Sequence, residues 1–147
     1  APVWAQAISK FYKLETVSCY SGGTETTAIY PMVIQVLKQA GFDISTKEAR
    51  ENPLYRIRYA AFSPFILGYS KLYNDENNPS KKFAAIMTCS QADEACPLIL
   101  GAEKRIPITY EDPKVADGTH HEEEHYTRRS LQIATEMKYV FSKIYQL

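Results

Sequence analysis

A run of five apolar residues, from Phe83 to Met87, is the feature that most constrains the fold of this chain. The run has the length of a strand and shows no alternation of polar and apolar side chains. Strands with this pattern are typically covered on both faces, as in parallel sheets that pack between helices. The run therefore predicts a buried strand of a parallel sheet, which ends at Thr88-Cys89.

Helical patterns precede and follow this strand. Apolar residues at one-face spacing predict a helix over residues 2–14, and a second helix is predicted over residues 31–40. Thr119 and Glu122 have the spacing of a capping box, which predicts the start of a long final helix. The chain thus alternates helical and extended segments.

Other segments have the composition of strands. Short strands are predicted over residues 16–20 and 105–109. An aromatic β-hairpin, with arms at 54–60 and 65–73, is predicted within an insertion that spans residues 50–82. The alternation of helices and strands indicates a single α/β domain over residues 1–147, built as a three-layer parallel sheet.

Composition excludes some classes of function. The 17 basic and 17 acidic residues balance, which argues against nucleic acid as a partner. The chain has no apolar run of the roughly 20 residues that a membrane span needs, so no membrane association is expected. Three cysteines, an odd and small number, indicate a reducing compartment and predict a cytoplasmic protein.

Two thiols, Cys89 and Cys96, follow the end of the buried strand. If the residues between them were helical, their α-carbons would lie about 10 Å apart. A disulfide needs a separation under about 7 Å, so a bond between them would require this segment to unwind. Oxidation would then be coupled to a conformational change. The alternative is that both are small core residues.

Two loops at predicted strand ends carry further candidates. Asp112, in the run from Tyr110 to Pro113, stands where an acid could deliver a proton to a leaving oxygen, although such a run also occurs in ordinary turns. Ser21 and Gly22 begin a small, donor-rich loop that could face an anion or be a plain connection. Because sites in open α/β sheets lie beyond the carboxyl ends of strands, these loops are expected to converge.

A third pattern has the spacing of a metal-binding motif. His121, Glu122 and His125 match His-Glu-x-x-His, the spacing of a zinc hydrolase with Glu122 as the base. Residues 120–130 are polar nearly all round, which disfavours a dry zinc cleft, and a solvated helix start with favourable glutamates is the simpler interpretation. We therefore expect neither a metal nor another cofactor.

Four segments occur together in an order that resembles one family. They are the runs 20–24, 39–45, 88–97 and 111–113. With them the chain resembles low-molecular-weight protein tyrosine phosphatases and thioredoxin-coupled arsenate reductases, with residues 50–82 as an insertion. The resemblance implies a Cys-x5-Arg loop after a first strand, which these 147 residues lack. Because Ala1 would align just past that loop, we expect the domain to be N-terminally incomplete.

The resemblance also implies roles. Asp112 would be the general acid, and Cys89 would attack the nucleophile after oxyanion transfer and close a disulfide with Cys96. The substrate would be a phosphate- or arsenate-like oxyanion, and a thioredoxin-like protein would be the reductant. The alternative from another class is a catalytically inactive relative that binds an anion or a protein, the latter through the aromatic hairpin.

Overall fold

The computed structural model describes residues 1–88 and 99–146. These residues form a mixed α/β structure with helices and two small sheets. The chain divides into two compact units: unit 1 comprises Ala1–Cys19, Ala28–Tyr69 and Pro113–Leu147, and unit 2 comprises Tyr20–Thr27 and Ser70–Asp112. Within the described ranges, no helix is both long and apolar enough to cross a bilayer.

The helices of unit 1 confirm the helical predictions with small changes at their ends. Helix α1 is Pro2–Phe11, α2 is Pro31–Gln39 and α3 is Glu122–Tyr145. Helix α1 ends before the predicted residue 14, because Lys13 adopts a positive φ of 57° and turns the chain back. The backbone N–H of Leu14 then donates to the Ser9 carbonyl oxygen at 3.0 Å.

The capping box at the start of α3 is present in a shifted form. The Thr119 hydroxyl accepts from the backbone N–H of His121 at 3.2 Å instead of from residue 122. The Glu122 carboxylate reaches back to the N–H of Gly118 at 3.2 Å, one residue before the expected one. Both side chains still satisfy backbone donors near the helix start, but α3 begins at Glu122 with His121 as its N-cap, two residues later than a capping box on Thr119 predicts.

The strand predicted over residues 16–20 is wrong. Residues 17–20 are in neither a helix nor a strand. The side chain of Gln6 instead satisfies their backbone: its amide nitrogen donates to the Val17 carbonyl at 3.2 Å, and its oxygen accepts from Cys19 N–H at 2.8 Å. A single glutamine on α1 thus takes the place that a neighbouring strand would have.

The aromatic hairpin is confirmed as an antiparallel pair and gains a third strand. Strands β1 Asp43–Ser45, β2 Tyr55–Arg58 and β3 Ile66–Gly68 form a sheet in the order β1-β2-β3. One face of this sheet packs into the core of unit 1. That core contains Ile34, Leu37, Phe42, Ile44 and Ile57, against which Trp4 and other partly buried side chains pack.

Unit 2 contains the predicted parallel strand, β4 Phe83–Met87, paired with β5 Ala102–Pro107. Strand β5 begins before the predicted residue 105 and also ends earlier. The expectation that both faces of β4 are covered is wrong, because Ala85 and Met87 are buried while Ile86 is 42% exposed. The described residues therefore contain one parallel pair and not a full three-layer sheet.

Candidate functional site

The carboxyl ends of β4 and β5 lie at the same edge of their sheet. Met87 is the register partner of Pro107. Pairing continues past both strands, since Ile108 N–H donates to the Met87 carbonyl at 3.0 Å and Tyr110 N–H donates to the Thr88 carbonyl at 2.9 Å. Parallel strands deliver both following loops to this one edge, as the topology of α/β sites requires.

Asp112 follows this edge closely. It lies two residues after Tyr110, so its α-carbon is within about 7 Å of that of Tyr110. The residue is exposed, as is its neighbour Glu111. Chain connectivity therefore keeps the Asp112 backbone near the sheet edge at which β4 ends and Thr88 follows.

Cys89 and Cys96 lie outside the described residues. Thr88, the last described residue before them, is hydrogen bonded to Tyr110 as given above. The predicted coupling between a Cys89–Cys96 disulfide and unwinding stays a prediction.

Ser21 and Gly22 contact the segment 71–78 of the same unit. The Asn78 side-chain amide donates to the Ser21 carbonyl at 2.9 Å. A β-carbon at Gly22 would lie 2.3 Å from the Tyr73 α-carbon, so the glycine is required by the close approach of two backbones. This contact gives Gly22 a packing role, and the anion-facing role predicted for the loop stays a prediction.

The backbone amide of Gly23, the next residue of that loop, already donates a hydrogen bond within the unit. Gly23 N–H donates to the Lys71 carbonyl and the Gly23 carbonyl accepts from Tyr73 N–H, both at 2.9 Å. These two bonds form a parallel bridge between Gly23 and Leu72. The loop is therefore held by backbone pairing, with Gly22 at the point of closest approach to the segment 71–78.

Lys71 is a residue of this unit that sequence reasoning missed. Its side chain is 8% exposed, and burial lowers the pKa of its ammonium group, an effect that the nearby Asp75 opposes. A desolvated lysine is a recurrent feature of functional sites. The one available signal was its position in the alternating run 65–73, where every second residue is otherwise aromatic or aliphatic.

Cys19 is the free thiol among the described residues, and it lies in unit 1. Burial raises the pKa of this thiol, with a smaller opposing effect from the positive charge of Lys10. A raised pKa reduces the thiolate fraction at neutral pH and therefore reduces reactivity. Cys19 has the properties of a structural cysteine.

The His-Glu-x-x-His run is arranged as a helix start. His121 is the N-cap of α3, and its Nδ1 lies 3.4 Å from a carboxylate oxygen of Glu124. Glu122, the base that the zinc interpretation needs, accepts a 2.7 Å hydrogen bond from the Tyr30 hydroxyl. Among residues 1–88 and 99–146, no three histidine, cysteine, aspartate or glutamate side chains are grouped to hold a metal ion.

Unit 1 also has an open groove of about 530 Å³. It lies between α1, the end of β2 and α3, and Ala7, Phe11, Tyr59 and Lys138 are among its lining residues. Of the candidate residues that the structure describes, none of Ser21, Gly22, Asp112, His121, Glu122 and His125 is among its lining residues.

Comparison with protein-family models finds no matching family, and comparison with curated proteins finds no match.

Proposed function

We propose that the protein is an enzyme of the low-molecular-weight protein tyrosine phosphatase or arsenate reductase type, which acts on a tetrahedral oxyanion through thiol chemistry in the cytoplasm. The observation that supports this is the 2.9 Å bond between Tyr110 N–H and the Thr88 carbonyl, just past the parallel pair. It keeps the chain positions that lead into Cys89 and Asp112 at one sheet edge. The fold proposed for the complete domain is the three-layer parallel sheet of that family.

In this proposal Asp112 protonates the leaving oxygen when the oxyanion is transferred to a cysteine thiolate. The nucleophile belongs to a Cys-x5-Arg loop, which the 147 residues do not contain. We therefore propose the activity for a protein in which that loop precedes Ala1. Its backbone amides and arginine would hold the oxyanion, with Ser21 and Gly22 as a further anion-facing segment.

The reductase branch adds two thiols. The Cys89 thiolate attacks the sulfur of the arsenylated nucleophile and arsenite leaves, so that As(V) is reduced while two thiols are oxidised to a mixed disulfide. The Cys96 thiolate then attacks the Cys89 sulfur, which releases the nucleophile and leaves a Cys89–Cys96 disulfide. A thioredoxin-like dithiol reduces this disulfide. The phosphatase branch needs only the loop and Asp112.

Thiol trapping tests the reductase branch on the 147-residue chain itself. After mild oxidation and alkylation, mass spectrometry should find Cys89 and Cys96 protected together, while Cys19 is alkylated after unfolding. Cys89→Ser should leave Cys96 open to alkylation. Cys19→Ser is the matched control, and it should leave the protected pair unchanged. If Cys89 and Cys96 both remain alkylatable after oxidation, the reductase branch is wrong.

Activity of the complete gene product tests the role of Asp112. Asp112→Asn removes the proton donor and should lower kcat for an aryl phosphate or for arsenate by roughly 10²- to 10⁴-fold, which is the usual contribution of general acid catalysis. Glu111→Gln is the matched control because it removes the adjacent charge. Equal kcat values for Asp112→Asn and the unmodified enzyme would rule out this assignment.

A catalytically inactive relative that binds an anion or a protein is the second candidate. It gains support if the gene sequence upstream of Ala1 encodes no Cys-x5-Arg run, because the 147 residues themselves contain none. Titration calorimetry with phosphate and with arsenate separates the candidates: binding by a gene product that shows no turnover would support the inactive relative. Turnover that depends on Asp112 would exclude it.

A further inference from the structure

The outer face of the β1-β2-β3 sheet carries a basic and apolar surface. Its partner face is buried, since Ile44 and Ile57 are 7% and 1% exposed. Alternation along β2 places Arg56 and Arg58 on the opposite face, where Arg56 is exposed and Arg58 is half-buried. In the register of the sheet, Arg56 lies between Ser45 of β1 and Leu67 of β3.

An aromatic ring holds both arginines. The guanidinium carbon of Arg58 lies 4.0 Å from the Phe65 ring centroid, and that of Arg56 lies 5.3 Å from it. Stacking on a ring preorganises a guanidinium and reduces the entropy lost when it later binds a carboxylate. The two side chains therefore project as a fixed pair, with α-carbons about 6.7 Å apart.

The positive charges of Arg56 and Arg58 are not neutralised by salt bridges within the described part of the chain. Neither Arg56 nor Arg58 belongs to a salt bridge there, whereas Arg50 pairs with Glu48 at 2.8 Å. Asp43 is the register partner of Arg58 on the same face. One carboxylate therefore faces two guanidiniums, and a net positive charge remains on this face.

Exposed apolar side chains lie beside the arginines, at Leu67 on β3, at Phe65 just before β3, and at Phe62 in the turn between β2 and β3. Phe62 is 101% exposed, Leu67 is 54% exposed and Phe65 is 40% exposed. Arginine and phenylalanine are enriched in protein interfaces, where the apolar residue is desolvated and the guanidinium forms bidentate bonds. We call Arg56, Arg58, Phe62, Phe65 and Leu67 the Arg-Phe surface.

We infer that the Arg-Phe surface binds an extended, carboxylate-rich segment of a partner protein. Acidic residues at alternate positions of an extended chain repeat at about 6.7 Å, the same interval as the two arginines. An apolar residue beside them would cover Leu67. Charge complementarity on this face is what selects an acidic occupant.

Other occupants fit less well. A second copy of the chain docked face to face would bring four arginines together, and like charges across an interface are costly. Nucleic acid binding depends on a broad basic surface, whereas the whole chain has balanced charge. The inference is independent of the proposed oxyanion chemistry, because it uses none of the residues assigned to that site.

Fluorescence anisotropy on the full chain tests the inference. The probe is a labelled synthetic peptide with glutamate at alternate positions and leucine at both flanks, and its partner probe has glutamine in place of glutamate. We expect the acidic probe to bind more tightly, with an affinity that falls as salt is raised. Arg56→Gln with Arg58→Gln should weaken binding by roughly tenfold or more.

Matched variants make the result specific. Lys138→Gln with Arg128→Gln on α3 removes the same charge elsewhere and should leave affinity within about twofold. Asp43→Asn removes the resident carboxylate and should tighten binding by about two- to threefold. Circular dichroism confirms that each variant is folded.

Three outcomes would overturn the inference. One is equal affinity for the acidic and the glutamine probe, and another is equal loss in the α3 double variant and the β2 double variant. The third is a single-stranded oligonucleotide that binds as tightly as the acidic peptide and competes with it, which would assign the surface to nucleic acid instead.

Discussion

Each of the two units of this protein is stabilised internally by a different kind of interaction. Unit 1 has a side-chain core, with ten buried apolar residues among those described, including Phe42, Ile57 and Phe141. In the described part of unit 2, the buried apolar residues are Ala85 and Met87. Unit 2 relies instead on backbone bonds and on glycines at close approaches, such as Gly22 against Tyr73.

A side-chain core stabilises by burying apolar area, at about 25 cal/mol per Å². Unit 2 buries less apolar surface among its described residues, and it contains the candidate residues Asp112, Ser21 and Gly22 as well as the buried Lys71. The comparison predicts that unit 1 responds most to loss of side-chain volume, and unit 2 most to added backbone bulk.

The largest expected effect is a core truncation in unit 1. Ile57→Ala should lower the free energy of unfolding by about 3 kcal/mol, because the side chain is 1% exposed and its loss leaves a cavity. Leu67→Ala on the neighbouring strand removes a 54% exposed side chain and should change stability by under about 0.5 kcal/mol. Denaturant unfolding followed by circular dichroism measures both. Similar losses would contradict a core on only one face of this sheet.

A smaller effect is expected from added bulk in unit 2. Gly101 has a φ of +84°, and a β-carbon there would lie 1.9 Å from the Ser80 carbonyl oxygen. Gly101→Ala should cost about 2 kcal/mol or more, because it adds a backbone clash to left-handed strain. Hydrogen exchange should show lost protection at the N–H groups of Ile108 and Tyr110, which pair beside β4.

Gly118→Ala is the matched control for that prediction. Gly118 also has a positive φ, +72°, but a β-carbon there would meet nothing within 4 Å. It should cost only the conformational strain, about 1 kcal/mol. If the two alanine variants are equally stable, the close approach at Gly101 does not hold unit 2 together.

The smallest effect is a titration within unit 1. The hydrogen bond to Glu122, together with burial and the charge of Asp117, raises the pKa of Tyr30 from 10.0 to about 12. The neutral phenol is therefore favoured in the folded state, and this contribution to stability is complete below pH 10.0 and is lost as the pH rises to about 12. Phenolate absorbance, with Tyr30→Phe as the difference reference, should locate this titration.

The variant Glu122→Gln tests whether the hydrogen bond to Glu122 is the main cause of the raised Tyr30 pKa. It removes the charged acceptor, so the pKa of Tyr30 should fall toward its ordinary value. Glu124→Gln, which removes a charge from the same helix turn but not the hydrogen bond, should leave the pKa close to 12. A Tyr30 pKa that is the same in both variants would show that Glu122 is not its main partner.

Much of the fold followed from local patterns. Periodicity located α1, α2 and the hairpin, because a helix or strand that buries one face repeats its apolar residues at a fixed interval, and the continuous apolar run located β4. The parallel edge at Thr88 and Tyr110 followed from the order of the elements. The strand predicted over residues 16–20 failed because the Gln6 side chain hydrogen bonds to Val17 and Cys19 in place of a neighbouring strand, and the predicted coverage of both faces of β4 failed at the exposed Ile86.

The sequence by itself determined the three helices, the hairpin and the parallel strand β4, together with which chemical groups follow β4 and β5. Only the tertiary structure decided that β1 joins the hairpin, that Lys71 is buried, and that Glu122 binds Tyr30 rather than facing a metal. The reason is physical: periodicity reports on neighbours within a few residues, whereas these outcomes depend on contacts between distant positions. The bond from Trp4 to Ser130, which joins positions 126 residues apart, is of this kind.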